Sequence, residues 1–329
     1  MRTIRRILVA IKDPQSKSLP AVMKAAQLAR AFGADLELFH GLDTPLYADT
    51  AFTADDGFHG VAREMRARSL NRLELIADRI RLHSVKVTTA AEWDFPIFES
   101  ILRRAARTGA DLIVTGCRSG RRVAPMLLRL TDWELLRLSP IPVLVVKNSH
   151  PYRHPDILAA IDPTHVHAKP SRLDNEILKA GARMQSALRG KLHVVHAYAP
   201  VLPVGTPYGS IVTAGLMDRL VADIEKNAHA GFDRALRKTA IPRKRRHLIN
   251  RPPRDAIEGV ARKTRSAMVV MGAVSRSGLK RIFIGNTAES LLDDLSCDVL
   301  VVKPAHFVNR VPRARRGILL MASEPSLVY

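Results

Sequence analysis

The stretch Ala110-Asp111-Leu112-Ile113-Val114-Thr115-Gly116 decides the fold, because it occurs twice. Its second form, Ser266-Ala267-Met268-Val269-Val270-Met271-Gly272, begins 156 positions later. Pro142-Val143-Leu144-Val145-Val146-Lys147 returns at the same offset as Asp298-Val299-Leu300-Val301-Val302-Lys303. The pairs His40/His196, Pro96/Pro252 and Ile101/Ile257 keep that shift. Near the start of each half it is 150, with Ile7–Ile11 set against Ile157–Ile161, so the second half carries about six extra residues within Pro163–Pro170. A shift held across most of each half marks an internal duplication. The 329 residues accommodate two domains of roughly 150 residues each.

Each copy alternates short apolar runs with longer helical patterns. In the second copy the strands are expected near 156–161, 191–197, 244–250, 267–272 and 298–303, and the helices near 172–189, 216–239, 253–265 and 287–296. The strands are rich in Val, Ile and Leu, as suits a sheet covered on both faces. Such alternation predicts an α/β fold with two tandem, doubly wound, parallel five-stranded sheets. His150–Pro155, interrupted by prolines, reads as the linker. The expected domains are therefore 1–149 and 150–304, followed by a basic tail at 305–329. That tail is read as loose, with Gly317–Met321 apolar enough to dock on the body.

Composition narrows the function classes. Hydrophobic residues make up 47% of the chain, ordinary for a protein with a real core. No apolar run approaches the roughly 20 residues that span a bilayer, and the N-terminus carries no secretion signal. Cys117 and Cys297 lie in different halves and form neither a disulfide framework nor a zinc cluster. A reducing cytoplasm is the expected location. The formal net charge is +21, which suits either an anionic partner, such as nucleic acid or a membrane surface, or simply solvated arginines. The densest basic clusters, Arg243–Arg246 and Arg310–Arg316, have no interleaved aromatics. That argues against a surface that stacks single-stranded bases.

Ligands of open α/β sheets sit at the carboxyl ends of the strands. In the second copy the fourth strand runs into Gly272-Ala273-Val274-Ser275-Arg276-Ser277-Gly278, and Gly285-Asn286-Thr287 opens the last helix. A helix N-terminus offers free N–H groups to phosphate, and Arg276 adds a charge-assisted donor. The first strand ends at Asp162, whose carboxylate suits a ribose or base. There is neither a Walker loop nor a dinucleotide fingerprint.

Together with the closing Val-Leu-Val-Val-Lys strand, this loop resembles the universal stress protein family, whose nucleotide-binding members carry G-x-x-G, nine residues, then G-[ST]. Gly272 and Gly285 take the first and last glycine positions, Ser275 replaces the middle glycine, Asn286 stands at the hydroxyl position, and Gly278 fits a further small-residue position. Gly285-Asn286-Thr287-Ala288-Glu289, Thr131-Asp132-Trp133 and the tandem layout resemble the family's E type. The resemblance covers roughly 5–303. It implies a stress-response protein, with ATP or a related nucleotide in the second domain. Asp162 and the backbone near Ala197 would face ribose and base, and Gly272, Ser275, Gly285, Asn286 and Thr287 the phosphates. It also implies that the two copies pack as an internal pseudo-dimer through their last strands.

In the first copy Ser119 stands opposite Ser275, Arg129 opposite Gly285, Leu130 opposite Asn286 and Lys12 opposite Asp162. This copy reads as one that has lost the nucleotide loop. Lys12 and Arg129 either face a different anion or are solvated. Thr131-x-x-Glu134 and Thr287 also read as helix N-terminal signals. His165 and His167 make a weak metal pair. His193 and His196, three apart on one strand, point to opposite faces, and His40 and His196 are expected to hold structural hydrogen bonds. No nucleophile has an adjacent base, and no group is placed to activate water, so any ATP hydrolysis is slow and the chain reads as a binding protein. Two other classes stay open. One is a scaffold or binder of an apolar or anionic non-nucleotide ligand, and the other is an anionic-surface binder that uses the tail. A homodimer is among the partners left open.

Overall fold

The structure, a computed structural model, describes residues 3–43, 46–48, 57–116, 130–164, 173–199, 214–273, 291–292, 294–308, 311–318 and 320–322. It divides into two compact units. One contains Arg2–Tyr152 together with Val308–Tyr329, and the other contains Arg153–Phe307.

The first unit holds β1 (Arg6–Ala10), α1 (Pro20–Phe32), β2 (Asp35–Leu42), β3 (Leu46–Ala48), α2 (Gly57–Arg81), β4 (Val87–Trp93), α3 (Ile97–Thr108), β5 (Leu112–Gly116), α4 (Leu130–Leu138) and β6 (Val143–Val146). Its strands run β4-β2-β1-β5-β6, paired in parallel. The second unit holds β7 (Asp156–Ala160), α5 (Leu173–Leu188), β8 (Lys191–Tyr198), α6 (Ala214–Leu236), a 3-10 turn (Arg243–Arg245), β9 (Arg246–Asn250), α7 (Pro253–Lys263), β10 (Met268–Gly272) and β11 (Asp298–Val302). Its strands run β11-β10-β7-β8-β9, again parallel. Residues 291, 292 and 294 are helical, within the last expected helix. Each unit thus carries five parallel strands that alternate with helices, as the sequence pattern implies.

Burial explains the strand composition. Ile7, Leu8, Val9, Leu112, Ile113 and Val114 are inaccessible to solvent, as are Ile157, Leu158, Val269 and Val270 in the second unit. Strands covered on both faces need apolar residues at consecutive positions, not alternate ones.

Both repeat offsets reappear as matched hydrogen bonds. Ile11 N–H donates to Phe39 O, and Ile161 N–H donates to Val195 O. Ala34 N–H donates to Ala29 O, and Gly190 N–H donates to Gln185 O. Ala110 N–H to Ala105 O is likewise matched by Ser266 N–H to Ala261 O. These last two pairs close helix C-termini through a left-handed residue. The first copy uses Gly33 (φ 62°) and Gly109 (φ 66°), whereas the second uses Arg189 (φ 52°) and Arg265 (φ 50°). Glycine adopts this conformation freely, while a residue with a Cβ is strained there.

The basic stretch after Pro304, read from the sequence as loose, is tied to the first unit. Arg316 N–H donates to Asp94 Oδ1 (2.9 Å), and its guanidinium reaches Glu99 (3.0 Å). Arg315 pairs with Glu92 (3.1 Å), and the Pro312 carbonyl accepts from Arg103 (3.3 Å). Beyond them β12 (Leu320–Ala322) runs parallel to β3 as a separate two-stranded sheet, which the sequence pattern did not suggest.

Candidate functional site

Asp162, Ala197 and Gly272 come to one edge of the second unit. Gly272 ends β10, Asp162 follows β7 and Ala197 lies near the end of β8. These strands are adjacent and parallel in the order β10-β7-β8, so the three residues share the carboxyl edge of the sheet. Ser275, Arg276, Gly278, Gly285, Asn286 and Thr287 lie outside the described residues, as do Cys117, Ser119, Arg129, His165 and His167.

Asp162 is buried, at 8% exposure. Its backbone N–H donates to Asp174 Oδ1 in the first turn of α5 (3.0 Å), and its Oδ1 accepts from the Thr164 hydroxyl (3.0 Å). Its Oδ2 is buried and has no hydrogen-bond partner among the described residues. A buried acceptor left unsatisfied costs about 1–3 kcal/mol, so a donor delivered to this point would be held. Gly272 has a packing reason for its identity. A Cβ there would lie 2.6 Å from Leu173 Cδ2 and 2.8 Å from its Cγ. Leu173 is itself fully buried, so the glycine lets the start of α5 close over the end of β10.

The corresponding edge of the first unit is built differently. Lys12, expected to face an anion or water, instead binds Asp132 of α4 at 2.6 Å. Asp132 is fully buried, and Thr115 Oγ1 lies 3.4 Å from its other oxygen. Where the second copy has Ala197 the first has Gly41, and a Cβ at Gly41 would meet Ile97 Cδ1 at 2.8 Å. Ile97 therefore occupies the room beside β2. The cavity left among Lys12, Phe39, Gly41, Ile97 and Leu135 is about 80 Å3, against roughly 300–1,000 Å3 for a ligand pocket. Thr131 lies inside α4 instead of capping it, and Glu134 pairs with Arg137 (3.1 Å).

The histidines are largely structural. His40 Nδ1 lies 2.8 Å from Ile11 O, and burial holds its pKa below the ordinary value despite that bond and nearby Asp43 and Asp13. His196 is buried with its ring 6.1 Å from that of Phe232. His193 faces the other side of β8, where Nδ1 meets His247 Nε2 (3.1 Å) and Nε2 meets Asp156 (3.3 Å). Among the described residues no group of three or more His, Cys, Asp or Glu side chains is arranged to hold a metal ion. No helix among them is long and apolar enough to cross a membrane.

The universal stress protein family model matches this chain twice, over residues 3–147 and 156–303. The chain belongs to the universal stress protein family. It is 26% identical over 309 residues to universal stress protein E of Escherichia coli K12, covering 93% of this chain and 96% of that protein. The universal stress protein E homolog of Haemophilus influenzae is 27% identical over 234 residues, 69% of this chain and 73% of that one. Among solved structures, a protein of unknown function from Pseudomonas aeruginosa PAO1 superposes with a TM-score of 0.70 at 24% identity, over 92% of this chain and 94% of that one. A universal stress protein from Archaeoglobus fulgidus superposes with a TM-score of 0.63 at 16% identity, over 91% and 98%. These two structures establish the tandem fold.

Within this tandem family member, sequence reasoning missed two acids at the strand ends. Asp132 neutralises Lys12 from 120 residues away, and its only sequence signal was its place in Thr131-Asp132-Trp133. Asp174 holds the Asp162 backbone, and nothing in the sequence singles it out.

Proposed function

We propose that the chain is a cytoplasmic stress-response protein that binds ATP or a related nucleotide in its second domain. The observation that carries this reading is Asp162, whose buried Oδ2 has no partner among the described residues and lies at the carboxyl end of the central strand β7. A ribose hydroxyl or a base amine supplies the missing donor. Asp174 fixes the Asp162 backbone, and Thr164 occupies Oδ1, so one oxygen remains for a ligand. The sequence supports the phosphate end through Gly272, Ser275, Arg276, Gly278, Gly285, Asn286 and Thr287, which match the family's loop apart from the replacements at Ser275 and Asn286. The first domain takes no nucleotide in this mode, since Lys12 reverses the charge and Ile97 fills the space beside Gly41. The role is one of binding, with no catalytic residue assigned.

Equilibrium dialysis of the full chain against labelled ATP tests this. Wild type should bind saturably at one site. Gly285→Arg should abolish that binding, and Asp162→Ala should weaken it at least about tenfold, the equivalent of 1.4 kcal/mol. An absence of saturable binding in wild type, or unchanged binding in both variants, refutes the proposal.

A further inference from the structure

The Arg243–Arg246 cluster, which the nucleotide reading leaves unused, borders a groove in the second unit. This groove, of about 760 Å3, runs between the end of α6 and the outer strand β9. Four arginines line it: Arg234 near the end of α6, Arg237 just beyond it, and Arg243 and Arg246 from the 3-10 turn and β9. Phe232, buried, and Leu248, half-buried, form its apolar floor.

None of these four guanidinium groups has a carboxylate within 4.0 Å among the described residues. Arg246 Nε donates to Ile241 O (2.9 Å), which anchors that side chain and leaves its terminal nitrogens available. The arginines on α3 behave otherwise. Arg103, Arg104 and Arg107 all pair with acids. The C-terminal end of a helix favours cations, which accounts for Arg234 and Arg237 alone. It does not account for Arg243 and Arg246 meeting them from a different element.

We propose that this groove is a binding site for a compact polyphosphate anion, a chain of three or more phosphoryl groups. Planar guanidinium forks suit phosphate oxygens bidentately, and four of them match an anion carrying several charges close together. The groove volume falls in the range of small-ligand sites. Single-stranded nucleic acid fits less well, because Phe232, the aromatic residue in the wall, is only 4% exposed and cannot stack on bases. Asp233 and His229 also line the wall. Asp162, Ala197 and Gly272 are not among the residues that line the groove.

Calorimetric titration of the full chain with sodium tripolyphosphate tests the proposal. Wild type should saturate at one equivalent. The double substitution Arg237→Glu/Arg243→Glu, at exposed positions, should weaken binding at least a hundredfold. Arg237→Lys/Arg243→Lys should show an intermediate loss, because charge is kept and the forks are removed. Arg63→Glu/Arg79→Glu imposes the same charge change on the first unit and should bind as wild type does. Asp162→Ala should also bind tripolyphosphate normally, which separates this result from the outcome of the ATP experiment. The proposal is overturned by an absence of saturable binding, by orthophosphate binding as tightly as tripolyphosphate, or by equal losses in the two glutamate pairs. Tighter binding of a thymidine 20-mer, lost in the same groove variant, would overturn it in favour of nucleic acid.

Discussion

Replacing Arg103 with Met should destabilise the first unit selectively. Arg103 lies on α3 with its side chain 6% exposed, and it bonds Asp94 at 2.7 Å and Glu99 at 2.8 Å. Those carboxylates are 2% and 11% exposed. Its remaining contacts are the carbonyls of Phe95 and Pro312, each at 3.3 Å. Burial opposes the charged guanidinium, but Asp94 and Glu99 outweigh that effect and hold its pKa above the ordinary value. Methionine keeps most of the side-chain length and removes every donor. Breaking a buried ion pair by removing one partner costs about 3–5 kcal/mol. Arg316 still serves both acids, through its N–H to Asp94 and its guanidinium to Glu99, so the lower end, about 3 kcal/mol, is expected. For a unit of this size that corresponds to a fall in Tm of roughly 6–12 °C. The assay is built into the chain, because both tryptophans, Trp93 and Trp133, lie in the first unit. Urea unfolding followed by tryptophan fluorescence therefore reports that unit alone. In an Asp94→Asn/Glu99→Gln background the same substitution should cost far less, since no buried charge is stranded. A loss below about 1 kcal/mol, or full additivity of the three changes, would refute the argument.

Other expectations follow from single contacts. Lys12→Met removes the cation from the fully buried Asp132. Because the Lys12 side chain is 27% exposed and partly screened, the loss in urea unfolding should fall below the roughly 3–5 kcal/mol of a fully buried pair. Gly272→Ala should cost about 1–3 kcal/mol through overpacking against Leu173, and Leu173→Ala in the same chain should recover part of it. Arg189→Gly and Arg265→Gly should each raise the melting temperature of the second unit, by relieving about 1 kcal/mol of left-handed strain. Burial lowers the pKa of His193, with Arg245 and Lys191 adding to the effect and Asp156 opposing it. Burial, His193 and Lys263 likewise lower that of His247. A lowered folded-state pKa means that the unfolded chain binds more protons. The second unit should therefore lose stability as pH falls below the ordinary histidine value of 6.5, and His247→Gln should flatten that slope. A calorimetric Tm series from pH 8 to 5 decides it.

The duplication made the architecture legible, because a parallel sheet is dictated by local features. Apolar runs such as Val269–Met271, short and set between helical patterns, read as buried strands, and their alternation with helices implies a parallel sheet. The strand ends were legible too, so Asp162 and Gly272 stood out as candidates. Pairings across sequence distance were not legible. Nothing in Lys12 or Asp132 announces a contact over 120 residues, and a cluster such as Arg310–Arg316 looks the same solvated or bonded. Asp94 and Glu99 decide that case, since their buried carboxylates need cations and the tail delivers Arg316 to both. Several arginines of the first unit are therefore paired internally and are not free for an outside anion.

That difference bears on how two copies of one domain come to differ at the same strand end. Position 12 and its counterpart 162 sit at the same strand end with opposite charges. A lysine there requires an anion, and Asp132, fully buried on α4, provides it from within the fold. The pair closes the edge, and Ile97 seated against Gly41 removes the remaining room. An aspartate at 162 has no such internal answer among the described residues for its Oδ2. Among the described residues the first copy thus satisfies its own strand end, while the second leaves Oδ2 of Asp162 without a donor. Asp162→Lys alone should not reproduce the first copy's closure, because the residue that aligns with Asp132 is Ala288. With Ala288→Asp added, an internal pair becomes possible. The double variant should then be more stable than the single lysine variant and should bind no nucleotide. If the two are equally stable, internal pairing is not what distinguishes the copies.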